Sequence, residues 1–293
     1  MKYRRIGKTS LKVSEISFGC MSLDVTSKDS ESLLRSAVDH GINFFDTADL
    51  YDKGENERVV GKALQSVRNQ VIIATKVGNQ WREDGSGWDW NPTKTYILKA
   101  VEDSLRRLNT DYIDLYQLHG GTIEDPIDET IEAFELLKEQ GKIRAYGISS
   151  IRPNVIREWV SKSNMSSVMM QYSLLDRRPE EAMLELLGTH DISVITRGTL
   201  AKGLLVDKPA KSYLNYTESQ VAELQAKLQD TGNELSLAIQ YVLANQTVSS
   251  AVLGMRTLNQ LESILMVVEL ETDPRYIKEI KQILPINTYN QHR

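Results

Sequence analysis

Cysteine is almost missing from this chain. Cys20 stands alone among 293 residues, which excludes an internal disulfide framework and a cysteine-built metal cluster and suits a reducing compartment. No apolar run is long enough to span a bilayer. The first residues, Met1-Lys2-Tyr3-Arg4-Arg5-Ile6-Gly7, lack the apolar segment of a secretory leader. The expectation is a cytoplasmic protein with no membrane partner. Charge of one sign never gathers into a block: 35 Lys and Arg face 40 Asp and Glu, for a net charge of −5. Without a basic run, nucleic acid is not expected as a partner. Internal repeats and low-complexity segments are absent, and no Gly-x-Gly-x-x-Gly follows the first apolar strand, which counts against an open dinucleotide-binding sheet. What is present is ordinary: 41% hydrophobic and 26% charged residues, ample for a large core.

The order of elements is more telling. Tyr3 to Val13 alternates weakly about Gly7-Lys8-Thr9 and reads as a small hairpin. Short apolar strands follow at 16–20, 43–48, 71–77, 113–118, 143–148, 167–171, 192–197 and 249–253. Between them lie segments of helical spacing: 32–40 stopped by Gly41, then 56–65, 93–108, 128–140 stopped by Gly141, 153–162 opened by Pro153, 179–188, 217–229, 234–244, 257–268 and 274–284. The strand at 71–77 is apolar almost throughout, as a strand buried on both faces should be. Residues 78–92 hold Trp81, Trp88, Trp90, Gly85, Gly87 and Pro92 without a period, and read as a long loop of the kind that often serves as a lid. Sustained strand–helix alternation implies a parallel sheet. Eight such units in about this length favour a (β/α)8 TIM barrel in a single domain, 1–293, with an N-terminal β-hairpin and extra C-terminal helices.

A barrel of this kind carries its chemistry at the C-terminal ends of its strands. Polar residues at those ends are Asp46 with Tyr51 just beyond, Lys76, His119, Ser149 and Ser150, Gln171 and Arg197. Each alone reads more readily as a solvated strand end or a satisfied structural side chain than as a site residue. Their convergence on one rim is the signal, and their chemistry is complementary. An ammonium near a phenol favours the phenolate and lowers its pKa, while a carboxylate keeps the ammonium charged and aimed. Asp46, Lys76 and Tyr51 thus form a unit that gives and takes one proton through Tyr51, and His119 can hydrogen-bond a substrate oxygen.

These residues carry a family likeness. The chain resembles the aldo-keto reductases, in particular bacterial members near the potassium-channel β-subunit and aflatoxin-aldehyde reductase branches. The matching stretches are Phe44-Phe45-Asp46-Thr47-Ala48-Asp49-Leu50-Tyr51, Gly54-Glu55-Asn56-Glu57 with Gly61, Ala74-Thr75-Lys76, the run from Ser104 to His119, Gly141 to Ser149, Gln171-Tyr172-Ser173-Leu174-Leu175 and Gly254-Met255-Arg256. The resemblance implies a barrel that binds NADP(H) without a Rossmann fold and transfers hydride to a small carbonyl substrate. It implies a catalytic tetrad of Asp46, Tyr51, Lys76 and His119, with Tyr51 as general acid and no metal. It places Gly19, Cys20 and Met21 beside the nicotinamide ribose, and Ser149 and Gln171 on the carboxamide. Gly198, Leu200 and Lys202 fall on the pyrophosphate loop, and Gly254, Arg256, Thr257 and Gln260 on the adenosine 2′-phosphate.

Four departures touch cofactor binding rather than the tetrad. Ser150 stands where the family often has Asn. Arg197 replaces the aromatic ring that usually stacks on the nicotinamide. Gln260-Leu261-Glu262-Ser263-Ile264 lacks the usual Glu-Asn ending of the adenosine motif. Gly120-Gly121 follows the strand-four histidine in place of Pro or Asp. A second functional class stays open at this stage, a nicotinamide-binding regulatory protein in which slow turnover reports redox state. A metal-dependent barrel lyase is disfavoured, because Asp46 and His119 are too few ligands and Lys76 between them would repel a cation. Loop 78–92, residues 203–217 and the tail after Pro285 would set the substrate. Neither the substrate nor the oligomeric state is readable from the sequence.

Overall fold

The computed structural model describes residues 1–268, 270 and 274–293. Its strands, in chain order, are β1 (Tyr3–Arg5), β2 (Lys12–Ser14), β3 (Ile16–Gly19), β4 (Phe44–Asp46), β5 (Ile72–Val77), β6 (Asn79–Trp81), β7 (Trp88–Trp90), β8 (Ile113–Leu118), β9 (Ile143–Ser149), β10 (Ser167–Gln171), β11 (Ser193–Arg197) and β12 (Val248–Gly254). Eight of them close into a barrel in the order β3-β4-β5-β8-β9-β10-β11-β12 and back to β3, every pairing parallel. Helices cross between them: α1 (Asp29–Asp39), α2 (Glu55–Leu64), α3 (Lys94–Leu108), α4 (Ile127–Glu139), α5 (Pro153–Lys162), α6 (Met183–Thr189), then α7 (Glu218–Gln229) and α8 (Glu234–Leu243) together, and α9 (Leu258–Val268), with α10 (Pro274–Ile283) beyond. The expected barrel and its additional late helices are the observed ones.

Side-chain alternation sorts each strand into two layers. On β4 and β5, Phe44, Ile72 and Ala74 turn into the barrel, where they meet Leu115, Ala145, Met169 and Ile195. Phe45, Ile73 and Val77 turn outward to the helices. The hairpin β1–β2 adds Ile6, Leu11 and Val13 to the inner cluster. It sits at the N-terminal ends of the strands: Gly7 N donates to Ser193 Oγ at 2.8 Å and Ser249 Oγ donates to Arg5 O at 2.8 Å. The hairpin is therefore a plug at that end of the barrel. Burial of each of these large apolar side chains is worth about 1.5–3 kcal/mol.

Three expectations change. Residues 78–92 are not a structureless loop: β6 and β7 pair antiparallel, with Trp81 opposite Trp88, around a turn in which Gly85 N donates to Arg82 O at 2.9 Å. The helix expected at 32–40 starts at Asp29, since its polar first turn carries no apolar period; Ser27 Oγ accepts from Asp29 N there. The helix expected at 179–188 is split into a 3-10 turn, Arg178–Glu181, and α6. The break falls at Ala182, whose φ of −160° is not helical, beside Glu180, whose carboxylate accepts from the Tyr172 and Tyr241 hydroxyls and from Arg177.

Candidate active site

The rim opposite the plug collects the polar strand ends. Asp46 closes β4, Lys76 is the penultimate residue of β5, and His119 follows β8 with its backbone N still donating to Val77 O at 2.7 Å. Lys76 is 1% exposed and Asp46 4%. The lysine Nζ donates to Asp46 Oδ2 at 2.7 Å, to Thr47 O at 2.7 Å and to the Tyr51 hydroxyl at 3.3 Å. The Tyr51 and His119 rings meet edge to face, 5.8 Å between centroids. The four residues expected as a unit are thus brought together, and a fifth group, the Thr47 carbonyl, joins them.

The electrostatics follow from burial. For Lys76, burial opposes the charge, but Asp46 and Tyr51 outweigh it and hold the ammonium above the usual lysine range. For Asp46, burial raises the carboxyl pKa and Lys76 opposes it. These two shifts pull the pair in different directions. The three acceptors around Nζ decide for the charged pair, since a neutral amine could not donate to all of them. Tyr51 departs from the sequence expectation: Lys76 does lower its pKa, but burial raises it by more and Asp46 adds to the rise. The phenol is therefore firmly protonated at rest. Burial, with Lys76 and Arg197 adding to it, pushes His119 down to about 3, so the imidazole is neutral and one ring nitrogen carries a proton it can donate.

Polar residues behind the rim hold the strand ends in place, and no role was assigned to them from the sequence. Asn56 of α2 donates to Cys20 O at 2.8 Å and accepts from the Thr47 hydroxyl at 2.7 Å, tying the β3 and β4 ends together. Glu57 accepts from Thr75 Oγ1 at 2.5 Å and from Arg107 Nε at 2.6 Å, tying β5 to α2 and α3. Both are fully buried. The signal available in the sequence was Gly54-Glu55-Asn56-Glu57 itself, three polar side chains opening an amphipathic helix, which reads as a solvated first turn. Asp52 and Lys53 beside them adopt left-handed backbone, φ 48° and 56°. For residues other than glycine such strain costs on the order of 1–3 kcal/mol each and clusters at functional loops.

The residues proposed to hold a cofactor lie around the same mouth. Gly19 ends β3, Met21 is 66% exposed beyond it, and Cys20 is buried. Burial pushes the Cys20 thiol up, and Asp46 adds to this, so it packs as an inert thiol behind the rim. Ser149 ends β9, whereas the Ser150 hydroxyl accepts from Arg152 N at 3.1 Å and serves the turn into α5. Gln171 and Arg197 are register neighbours on β10 and β11, and Arg197 Nη1 donates to Gln171 Oε1 at 3.2 Å. After β11 the chain turns through Gly198 and a strained run, Ala201 at φ 46° and Lys202 at φ 60°, with Leu200 half-buried before it and the Lys202 side chain exposed. At the far edge Gly254 ends β12, and Arg256 stands exposed two residues before α9. There Thr257 Oγ1 accepts from Gln260 N at 3.2 Å and Gln260 Oε1 accepts from Arg256 N at 2.8 Å. Gln260 thus spends its carbonyl on capping the helix, and Arg256 keeps its guanidinium outward.

The aromatic hairpin packs onto this rim. Trp81 Nε1 donates to Leu50 O, next to Tyr51, at 3.3 Å. Trp90 lies under the β5 and β8 ends, where its ring stands 3.4 Å from the position a Cβ on Gly120 would take, and its Nε1 donates to Asp125 Oδ1 at 2.9 Å. The 3.4 Å separation leaves room for a side chain; it is the backbone of Gly120, at φ 142°, that favours glycine in the Gly120-Gly121 departure. Trp88 stays exposed at 47%. Among the described residues, no group of three or more His, Cys, Asp or Glu side chains is placed to hold a metal ion, and no helix is long and apolar enough to cross a membrane.

Comparisons with known proteins agree with this fold. Residues 15–285 match the Aldo/keto reductase family. The chain is 48% identical to the uncharacterized oxidoreductase YqkF of Bacillus subtilis, with all of both chains aligned, and 31% identical to the aldo-keto reductase YhdN of the same organism over 97% of this chain and 94% of that one. Among solved structures, the holo form of aldo-keto reductase AKR11C1 from Bacillus halodurans superposes with a TM-score of 0.97 at 48% identity, covering 100% of this chain and 99% of that one. Its apo form superposes with a TM-score of 0.87 at 45% identity and the same coverage. A plugged eight-stranded barrel, a buried Lys–Asp pair touching a tyrosine at its mouth, and a match spanning 15–285 lead to one conclusion: this chain belongs to the aldo-keto reductase family.

Proposed function

We propose that the protein reduces aldehydes or ketones to alcohols with NADPH, using Tyr51 as general acid. The observation that carries the reading is the Lys76 ammonium, buried and hydrogen-bonded at once to Asp46, Thr47 O and the Tyr51 hydroxyl. An apolar strand end has no structural need of such a cluster, because burying two charges costs more than packing apolar residues of like size.

The residues at the mouth fit a nicotinamide dinucleotide phosphate. Gln171 offers an amide at the end of β10, the strained turn at 198–203 follows β11, and Arg256 lies two residues before α9, whose N-terminus favours an anion. The guanidinium suits the 2′-phosphate, a group it can clasp with a forked, charge-assisted pair. Bound there, the reduced dinucleotide supplies a hydride. The chain's own residues do the rest. His119, neutral, donates its ring N–H to the substrate oxygen and orients the carbonyl. Tyr51 gives its proton to that oxygen as negative charge develops on it. Lys76 stands at the hydroxyl and stabilises the phenolate that remains, which is where its lowering effect on the Tyr51 pKa acts. Asp46 keeps the ammonium charged and pointed. Because Tyr51 is protonated at rest, the acid is ready before substrate arrives.

The test is consumption of NADPH with a panel of aromatic and aliphatic aldehydes, for the wild type and Tyr51→Phe. Loss of a positioned acid costs ~10²–10⁴-fold in rate, and NADPH affinity should stay unchanged, since the phenol lies apart from the residues assigned to the phosphates. A wild type no faster than Tyr51→Phe on every carbonyl in the panel would remove the proposal.

A further inference from the structure

Gln171 makes two hydrogen bonds that together fix which way its amide faces. Arg197 Nη1 donates to Oε1 at 3.2 Å, and Nε2 donates to the Tyr213 hydroxyl at 2.9 Å. A guanidinium has donors and no acceptor, so the amide atom turned to Arg197 must be the oxygen, and the nitrogen falls on Tyr213. Each end of the amide then has one capacity left: a second lone pair on Oε1 and a second N–H on Nε2. An acceptor beside a donor is the complement of a primary carboxamide. Gly198 supports the stem of the same side chain, because a Cβ at that position would stand 3.2 Å from Gln171 Cγ.

Tyr213 is held as firmly as the amide it meets. It belongs to the segment after β11, 42 positions from Gln171, and its turn is tied at both ends. Tyr213 N donates to Tyr216 O at 3.1 Å and Tyr216 N donates to Tyr213 O at 3.0 Å. Tyr216 is 2% exposed, and its hydroxyl donates to Pro285 O at 2.7 Å. Burial raises the Tyr213 pKa, so its hydroxyl remains a neutral group able to accept from Gln171 at any pH at which the protein works. Without that hydroxyl, Gln171 would keep only the bond to Arg197, which lets the amide plane swing about it.

We propose that Tyr213 is a positioning residue for the cofactor: its hydroxyl keys the Gln171 amide into the orientation that reads the nicotinamide carboxamide. This inference rests on the reading of the site as nicotinamide-dependent. It predicts that discrimination between a carboxamide and a group lacking the N–H donors depends on Tyr213.

The test uses quenching of the intrinsic tryptophan fluorescence of the full chain, with three probes: NADP⁺, its 3-acetylpyridine analogue, and 2′,5′-ADP, which has no nicotinamide. Wild type should bind NADP⁺ more tightly than the acetylpyridine analogue. Tyr213→Phe should weaken NADP⁺ about three- to tenfold, leave 2′,5′-ADP unchanged, and bring the ratio of the two dinucleotide Kd values toward one. A variant that loses affinity for all three probes in equal proportion has lost structure rather than carboxamide recognition, and that overturns the inference. So does a variant whose NADP⁺ affinity and analogue ratio equal those of the wild type. A wild type that binds neither dinucleotide overturns the nicotinamide reading itself, and this inference with it.

Discussion

Replacing Lys76 with methionine separates what the buried pair does for chemistry from what it does for folding. Methionine matches the stem in length and leaves no ammonium. Asp46 then keeps a carboxylate in a site where only 4% of the residue is exposed and where Oδ1 already has no partner. Breaking a buried pair from one side costs ~3–5 kcal/mol, and for a chain of this size that lowers Tm by on the order of 10 °C. The loss depends on pH with a definite sign. The folded-state carboxyl pKa is already raised by burial, and removal of Lys76 raises it further. A carboxyl that holds its proton more tightly when folded contributes stability at acidic pH and loses it as pH climbs through the raised value. The deficit should therefore be largest at neutral pH and shrink as pH falls toward the ordinary carboxylate range.

The double variant Asp46→Asn/Lys76→Met completes the experiment. With both charges gone, most of the Tm should return, because neutral replacement of a buried ion pair is often harmless. Carbonyl reduction should not return: the phenolate has lost its counter-charge, and the rate should stay ~10²–10⁴-fold down. The assays are thermal unfolding across pH and NADPH turnover with an aldehyde that the wild type accepts. A single variant whose Tm deficit is the same at acidic and neutral pH, or a double variant no more stable than the single, would refute the claim that the uncompensated carboxylate is the cause.

Two further outcomes are expected. Arg256→Ala should weaken NADPH and leave NADH unaffected in parallel titrations, because only the former has a 2′-phosphate for the guanidinium; equal losses would remove that role. His119, held near 3 when folded against 6.5 for a free imidazole, refuses a proton that the unfolded chain accepts, so stability falls as pH drops from about 6.5 toward 3. His119→Asn should flatten that part of the Tm–pH curve, and an unchanged slope would assign it to another group.

The parts of this molecule that were legible in its sequence are those set by short-range periodicity. The barrel showed through because apolar runs such as Ile72–Ala74 alternate with helices whose faces repeat at helical spacing, and the rim showed through because polar residues broke those runs at their C-terminal ends. The β6–β7 hairpin did not, although Asp84-Gly85 between Trp81 and Trp88 is a turn signal flanked by aromatics; strands of three residues are too short to display an alternation. Asn56 and Glu57 read as a solvated helix start because burial of polar groups depends on partners far away in sequence, Cys20 and Thr47 for one and Thr75 and Arg107 for the other. The Tyr51 pKa went the opposite way from expectation for a related reason: the sign of a charge–charge effect is visible in composition, whereas the desolvation that overrides it exists only in the folded chain. Tyr213 lay in a stretch with no period at all, and only its hydroxyl's meeting with Gln171 draws attention to it.

The hairpin that plugs the barrel floor has a consequence for traffic. With Ile6, Leu11 and Val13 sealing one end, the tetrad at the opposite strand ends is approached from the side where the β6–β7 ribbon packs. Gln171 and Gly198 stand at the β10 and β11 ends of that rim, and the β6–β7 ribbon forms a lip over Leu50, next to Tyr51. Passage to the tetrad is therefore one-sided: what enters at the rim leaves by the same face.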